Sequence, residues 1–472
     1  MRVRRGLAAC AWLLPVLAAV AVWLWVGRRR KPAPAFDVEP LALSPADRVL
    51  VLAPHPDDET VGCGGVIQQC VATGIPVRIV FFTNGDNNEL SFFVYRKRPV
   101  MEFESVRGMG LVRHDEAVAA AGLLGVAPTN LVFLGYPDSG TLRIWLAHWG
   151  AGRPRAHGPL TLATAVPYAG AFRQGAPYKG EEIVADLASV IRVFRPTRIF
   201  VSHPADQNPD HRALYLFTRV ALWDLEQDLR PELLPYLVHF HRWPQPRGYH
   251  PEQFLAPPAD MAGAIRWRSV TLSSRQMAAK RKAIRAHRTQ CEYAGRLLFS
   301  FVRARELFGD YTGAPSAAET AAAHGEIRDA NLPAEPPEEL SEDERAAFIG
   351  IRSRHVRIEG ANLVVDLELS QPLDPTVASS IYVFGYRHDR PFAEMPKLQI
   401  RLSEARCAVL DQAAELPADA VRVVRQAGRI GVSIPLAALG GPQRVLTSVR
   451  TSLGFVPLDQ APWRVLTVAG SE

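Results

Sequence analysis

Between residues 48 and 310 the chain repeats one pattern: a short unbroken apolar run, a turn, then a stretch of helical spacing. The first instance is Arg48-Val49-Leu50-Val51-Leu52-Ala53. A run with no polar alternation is what a strand buried on both faces requires. Similar runs lie at 77–82, 131–134, 198–202 and 236–241. Segments 61–73, 114–124 and 181–194 read as helices, the last ended by Pro196. Strands alternating with helices build a parallel sheet with helices on its faces, so a doubly wound α/β domain is expected over residues 36–315.

The pattern then changes. Residues 316–347 are rich in Ala, Glu and Pro without apolar periodicity and read as a linker. Beyond them, short β-rich runs recur at 363–369, 381–386, 398–402, 421–424 and 430–434, with turn signals between them. No helical pattern of comparable strength separates them, which predicts an all-β sandwich over 348–472. Tyr382, Phe384 and Tyr386 alternate along one of these strands. They suit core packing better than a sugar-stacking platform.

The first 35 residues read as a targeting segment rather than part of the fold. Residues 6–27 form a 22-residue run without charge, and about 20 apolar residues span a bilayer as a helix. A single-pass, uncleaved N-terminal anchor is expected. Arginines flank the run on both sides, so orientation is weakly determined, and the reading leans to a periplasmic or otherwise extracytoplasmic soluble domain. A Pro/Ala-rich stretch at 31–44 connects anchor and domain. The net charge of +6 is mild and much of it sits in Arg2-Val3-Arg4-Arg5 and Arg28-Arg29-Arg30-Lys31, which argues against a nucleic-acid partner. The five cysteines are scattered with no CxxC pair, so neither a disulfide framework nor a thiolate metal site is indicated.

Two clusters carry the chemistry. Pro54-His55-Pro56-Asp57-Asp58-Glu59 follows the first buried strand and opens a helix. Ligands of open α/β sheets bind beyond the carboxyl ends of strands. A histidine and several carboxylates packed there repel and lose solvation unless a cation sits among them. A helix N-cap accounts for one aspartate, but not for the whole run. The second cluster, His203-Pro204-Ala205-Asp206-Gln207-Asn208-Pro209-Asp210-His211, also follows a buried strand. Two histidines and a carboxylate with positions left open make a catalytic rather than structural metal site. Nitrogen and oxygen ligands suit zinc best, with another divalent metal as the alternative.

With these motifs in place the chain resembles the LmbE-like, or PIG-L, family of N-acetylglucosamine deacetylases over residues 48–308. The resemblance rests on His55-Pro56-Asp57-Asp58-Glu59 and Pro209-Asp210-His211, on Thr83-Asn84-Gly85-Asp86, on Arg113 with Glu116, and on Gly135-Tyr136-Pro137-Asp138. It rests also on Tyr236-Leu237-Val238-His239 with Trp243-Pro244, and on Ala286-His287-Arg288-Thr289-Gln290. It implies that His55, Asp58 and His211 bind the metal and that Asp57 is the general base. It puts Asn208 and Asp210 with the catalytic groups, and Arg113, Asp138, Asp86 and His287 on the substrate. One departure stands out: the family usually has histidine where this chain has Asn208, and asparagine donates a hydrogen bond but transfers no proton. His203 is one candidate to replace it.

On residues alone, Asp86 is equally a turn residue, Arg113 and Glu116 are spaced as a surface ion pair, and His287 lies beside a basic helix as a packing histidine would. The combined expectation is a Rossmann-like α/β domain followed by a β-sandwich, catalysing zinc-dependent de-N-acetylation of an N-acetylated amino sugar. The alternatives are a weakly active or inactive sugar-binding module of the same fold, which Asn208 favours, and an esterase or amidase acting on another acyl substrate.

Overall fold

The protein is described here by a computed structural model covering residues 38–87, 103–261, 264–311, 326–330, 332, 335–337 and 340–468. Its first part contains strands β1 (Val38–Pro40), β2 (Val49–Ala53), β3 (Val77–Thr83), β4 (Leu131–Tyr136), β5 (Arg198–Ser202), β6 (Glu232–Tyr236), β7 (Ile265–Thr271) and β8 (Arg305–Tyr311). The helices among them are α1 (Asp58–Thr73), α2 (Phe103–Leu123), α3 (Thr141–Ala147), α4 (Gly180–Phe194), α5 (Pro209–Asp224), α6 (Ser274–Ala286) and α7 (Arg288–Leu298).

The central sheet has the order β4-β3-β2-β5-β6 and every pairing is parallel. Alternate residues of one strand point to opposite faces, and β2 uses this to feed two cores. Val49, Val51 and Ala53 join the core that includes residues of α1, α2 and α6. Leu50 and Leu52 join the one that includes residues of α4 and α5. The chain runs outward from β2 through β3 to β4, then returns to the other side of β2 as β5. That reversal opens a crevice beyond the carboxyl ends of β2 and β5.

Two glycines shape α1. Gly74 ends it at φ 72°, a left-handed conformation that costs glycine nothing, and its N–H caps the carbonyls of Cys70 and Val71. At Gly62 a Cβ would lie 2.4 Å from the Tyr236 ring, so its absence lets the helix rest on that ring. Tyr236 in turn donates to the Leu52 carbonyl at 2.9 Å.

Strand β6 ends where the sequence suggested a strand beginning. It spans Glu232–Tyr236 rather than 236–241. Past Tyr236 the N–H groups of Val238 and His239 donate to the Asp206 carboxylate at 3.0 and 2.9 Å instead of a neighbouring strand. Pro235, which lacks an N–H, is accommodated because β6 is an edge strand. A separate three-stranded sheet of order β1-β7-β8 was not foreseen.

The C-terminal part is antiparallel throughout. Its elements are β9 (Glu326–Asp329), α8 (Glu342–Ala346), β10 (Ile351–Glu359), β11 (Asn362–Leu369), β12 (Val377–Tyr386), β13 (Lys397–Leu402), β14 (Cys407–Asp411), β15 (Ala414–Leu416), β16 (Arg422–Gln426), β17 (Arg429–Pro435), β18 (Arg444–Leu453) and β19 (Val456–Thr467). They form two sheets, of order β16-β17-β11-β10-β9 and β15-β14-β13-β12-β18-β19. Part of the expected linker is therefore sheet: β9 pairs with β10, with Ile327 buried in the sandwich core. Ile381 and Val383 of β12 face that core. Tyr382, Phe384 and Tyr386 face the other way and pack with Trp145, Trp149 and Phe217 of the α/β part. The aromatic stripe is thus core, shared between the two parts.

The membrane placement does not stand. Among the described residues no helix is long and apolar enough to cross a membrane. Residues 6–27, on which the single-pass anchor and the extracytoplasmic assignment rested, lie outside the described residues.

Candidate metal centre

The loops leaving β2 and β5 meet in the crevice. His55 Nδ1 lies 3.2 Å from Asp58 Oδ2, and His211 Nε2 lies 3.1 Å from the same oxygen. All three side chains are buried, and their ligand atoms are close enough together to hold one metal ion. Neither His211 nitrogen is aligned for a hydrogen bond despite its close carboxylate neighbours. Near approach without hydrogen-bond alignment suits nitrogen and oxygen atoms facing a common point.

Behind each histidine stands a carboxylate. His211 Nδ1 lies 3.1 Å from Asp206 Oδ2. His55 Nε2 lies 3.2 Å from Asp210 Oδ2 and 3.3 Å from Asp138 Oδ1. Carboxylates in this position fix the ring and the tautomer of a metal-ligating histidine. The electrostatics agree. Burial alone pushes both histidines down, yet the surrounding aspartates more than offset it. His55 ends well above its ordinary pKa, and His211 is raised to about 9. Burial pushes Asp58 up, but His211 and His55 hold it well below the usual carboxylate range. Protons on these histidines compensate the carboxylates, and a divalent cation does so with more charge. The donor set, two imidazoles and a carboxylate, fits zinc or a similar ion.

Asp57 precedes α1 at φ 136°, a strained value for a residue with a side chain. Its N–H donates to Glu59 Oε2 at 3.0 Å. Arg113 Nη2 donates to the Pro56 carbonyl at 2.9 Å and lies 3.8 Å from Asp57 Oδ1. Burial, with Asp58 adding to it, raises the Asp57 carboxyl to about 7.

The remaining expected residues divide between crevice and frame. Asp86 and Asp138 are buried near each other; Tyr168 donates to Asp86 Oδ2 at 2.5 Å, and burial with Asp138 raises Asp86 to about 7. Asp138 accepts from the Asn87 N–H at 3.0 Å. Asp210 accepts from the N–H groups of Ser139 and Thr141, at 2.5 and 3.1 Å, which ties α5 to the loop after β4. Arg113 is not half of a surface pair: it is buried, and its Nη1 donates to the Gly85 carbonyl at 2.9 Å. Glu116 instead accepts from the N–H and hydroxyl of Thr289, at 3.0 and 2.7 Å. His287 is fully buried with Nε2 3.3 Å from Glu59 Oε1. It supports Glu59, and through it the Asp57 backbone, from behind.

Asn208 is the N-cap of α5: its side-chain oxygen accepts from the Asp210 N–H at 2.8 Å. His203 does not replace the usual histidine. Its Nδ1 accepts from the Ala205 N–H at 3.0 Å, its ring packs against Trp267 and Tyr311, and burial lowers it to about 4. Two site residues went unassigned from sequence. Asp206 sits in the quoted second cluster, and a ligand histidine's need for a carboxylate behind it was the available signal. His239, whose ring centroid is 4.9 Å from that of His211, sits in a motif already noted after a strand.

A parallel α/β sheet carries at its reversal point a His-Asp-His cluster that could hold a metal ion, with a carboxylate behind each imidazole and a buried aspartate alongside. Residues 50–222 match the family model described as PIG-L, GlcNAc-PI de-N-acetylase, and the chain carries a PIG-L family domain there. It is similar to the 1D-myo-inositol 2-acetamido-2-deoxy-alpha-D-glucopyranoside deacetylase of Rhodococcus erythropolis, 27% identical over 38% of this chain and 53% of that one. Its counterpart in Nocardia farcinica is 27% identical over 52% of this chain and 81% of that one. The chain thus spans about half the length of the first relative. Among solved structures, N,N'-diacetylchitobiose deacetylase from Pyrococcus horikoshii is 21% identical, covering 56% of this chain and 82% of that one, with a TM-score of 0.33.

Proposed function

We propose that the protein hydrolyses the acetamido group of an N-acetylglucosamine-type sugar, releasing acetate and the free amine, with zinc as the metal. The convergence of His55, Asp58 and His211 beside Asp57 carries this reading. The PIG-L domain and the names of the two curated relatives support the substrate class. Bound there, the metal supplies a water of lowered pKa and a Lewis acid for the acyl oxygen. Asp57 takes one proton from the attacking water as the water oxygen bonds to the acyl carbon. A base near pKa 7 suits that task at neutral pH. The carbonyl pair moves onto the acyl oxygen and returns as the C–N bond breaks, and the proton held by Asp57 passes to the departing nitrogen. Asp138 and Asp86 offer acceptors for sugar hydroxyls, and Arg113 holds the loops after β2 and β3 in place.

The test is acetate release from a panel of N-acetylhexosamine glycosides, with zinc-loaded and chelated protein compared. Release that depends on metal supports the proposal. Hydrolysis of simple acyl esters without preference for acetylated amino sugars replaces it with the esterase reading. Sugar binding without acetate release favours the binding module, the reading suggested by Asn208 being committed to its helix cap.

A further inference from the structure

A donor is needed where negative charge grows on the acyl oxygen, and Asn208, whose side chain is tied into the cap of α5, need not be the only one. Its side-chain carbonyl accepts from the Asp210 N–H at 2.8 Å and its backbone N–H donates to Asp206 Oδ1 at 2.9 Å, which fixes the residue as a helix cap and leaves the side-chain NH2 as its one remaining donor. His239 stands beside His211. Its N–H donates to Asp206 Oδ2 at 2.9 Å, and its carbonyl accepts from the Gln207 N–H at 2.9 Å. The residue is therefore fixed from both sides to the loop that carries the second histidine ligand. Its ring stands edge-to-face against His211, 4.9 Å between centroids at 72°. The residue is half-buried, and among the described residues its ring makes no hydrogen bond or ion pair. An imidazole without a hydrogen-bond partner, its backbone fixed and its ring beside His211, has a donor to offer there.

We propose that His239 is a hydrogen-bond donor to the acyl oxygen. This rests on the deacetylase reading above. As the water oxygen bonds to the acyl carbon, the carbonyl electron pair shifts to oxygen and the His239 N–H shortens its hydrogen bond to it. No proton changes owner in that contact, and the pair returns to carbon as the C–N bond breaks. Asp206 is the positioning residue common to both rings: it faces His211 Nδ1 and anchors the His239 backbone.

The experiment compares the zinc-loaded parent with His239→Leu, His239→Ala and His239→Gln, reading kcat, KM, metal content and melting temperature for each. Losing one oxyanion donor typically lowers kcat by about 10²–10³-fold. The Leu and Ala variants are expected to lose kcat on that scale with KM and zinc content near parental, and Gln, which keeps an N–H, to recover part of it. Asn208→His added to His239→Leu is expected to restore turnover. Parental kcat in either truncation overturns the inference, as does a rate loss matched by zinc loss with no recovery in Gln. If either truncation does not fold, the other and the Gln variant decide. If the zinc-loaded parent releases no acetate, the deacetylase reading falls and this inference with it. If the parent is active and the truncations are too, only the inference falls.

Discussion

Asp57 and Asp58 are neighbours with opposite electrostatic fates, in keeping with the separate roles proposed for them. Both are buried, which raises a carboxyl. Asp58 escapes upward displacement because His211 and His55 face it, whereas Asp57 has Asp58 beside it and rises to about 7. Asp57→Asn should retain its metal and lose about 10²–10⁴-fold in turnover, while Asp58→Asn should lose metal first. Zinc content and kcat measured on the same preparations separate the two, and equal zinc loss in both variants contradicts the assignment. His203 makes a different prediction at this scale. Its pKa is lowered to about 4 from an ordinary value of 6.5, because burial disfavours the charged ring. A depressed folded-state value contributes stability above pH 6.5 that is lost as pH falls towards 4. The loss is up to about 3 kcal/mol, one pKa unit being about 1.4 kcal/mol. His203→Gln should flatten the unfolding free energy across that window relative to the parent, and an unchanged slope in denaturant titrations counts against it.

Among the elements, α5 connects chemistry to framework. It begins at Pro209, a favourable first helical residue, with Asn208 capping it and His211 in its first turn. Arg212 next to His211 reaches Gln460 of β19, and Tyr386 of β12 donates to Asp224 at the other end of the helix at 2.9 Å. The residue at position 208 is thus constrained by the helix it caps. Asn208→Ala should lower stability by about 0.5–2 kcal/mol, and Asn208→Asp, which keeps the cap, by much less. Denaturant midpoints test the order, and equal losses in Ala and Asp variants contradict the capping role. Helix α1 is constrained differently, by Gly62 against Tyr236, so the first loop of the site rides on a helix pressed closely to the sheet.

Across the whole molecule the β part is not a detachable module. Trp145 lies 5.6 Å from Phe384, 5.4 Å from Phe392 and 6.0 Å from Trp463 by ring centroids, and Trp223 lies 4.8 Å from Tyr386. These rings complete the core under α3 and α5. A chain ending at residue 311 leaves that surface in water, and large exposed apolar patches promote association. It should aggregate or melt well below the parent in sizing and thermal denaturation, even though His55, Asp58 and His211 are all present. Trp463→Ala should destabilise the full chain by about 3–5 kcal/mol, as large core truncations do. A truncated chain that stays monomeric with the parental melting temperature refutes the shared core.

What could be read from residues alone was whatever local pattern determines. Unbroken apolar runs located β2, β3, β4 and β5, because strands covered on both faces admit no polar alternation. His55, Asp57, Asp58 and His211 were legible because each cluster directly follows such a strand, and strand ends in a parallel sheet share one edge. Partners distant in sequence were not legible. Nothing near Asp206 announces that it anchors Val238 and His239. The pairing of Arg113 with the Gly85 and Pro56 carbonyls, in place of Glu116, depends on packing between α2 and two loops. Strand β6 was misplaced because the amides after Tyr236 found a carboxylate rather than a strand, which only the approach of the β5 loop decides. The stripe of Tyr382, Phe384 and Tyr386 reads identically whether it faces solvent, sugar or a second core. Local sequence sets which face a side chain takes; what stands opposite that face is set by how separate parts of the chain dock.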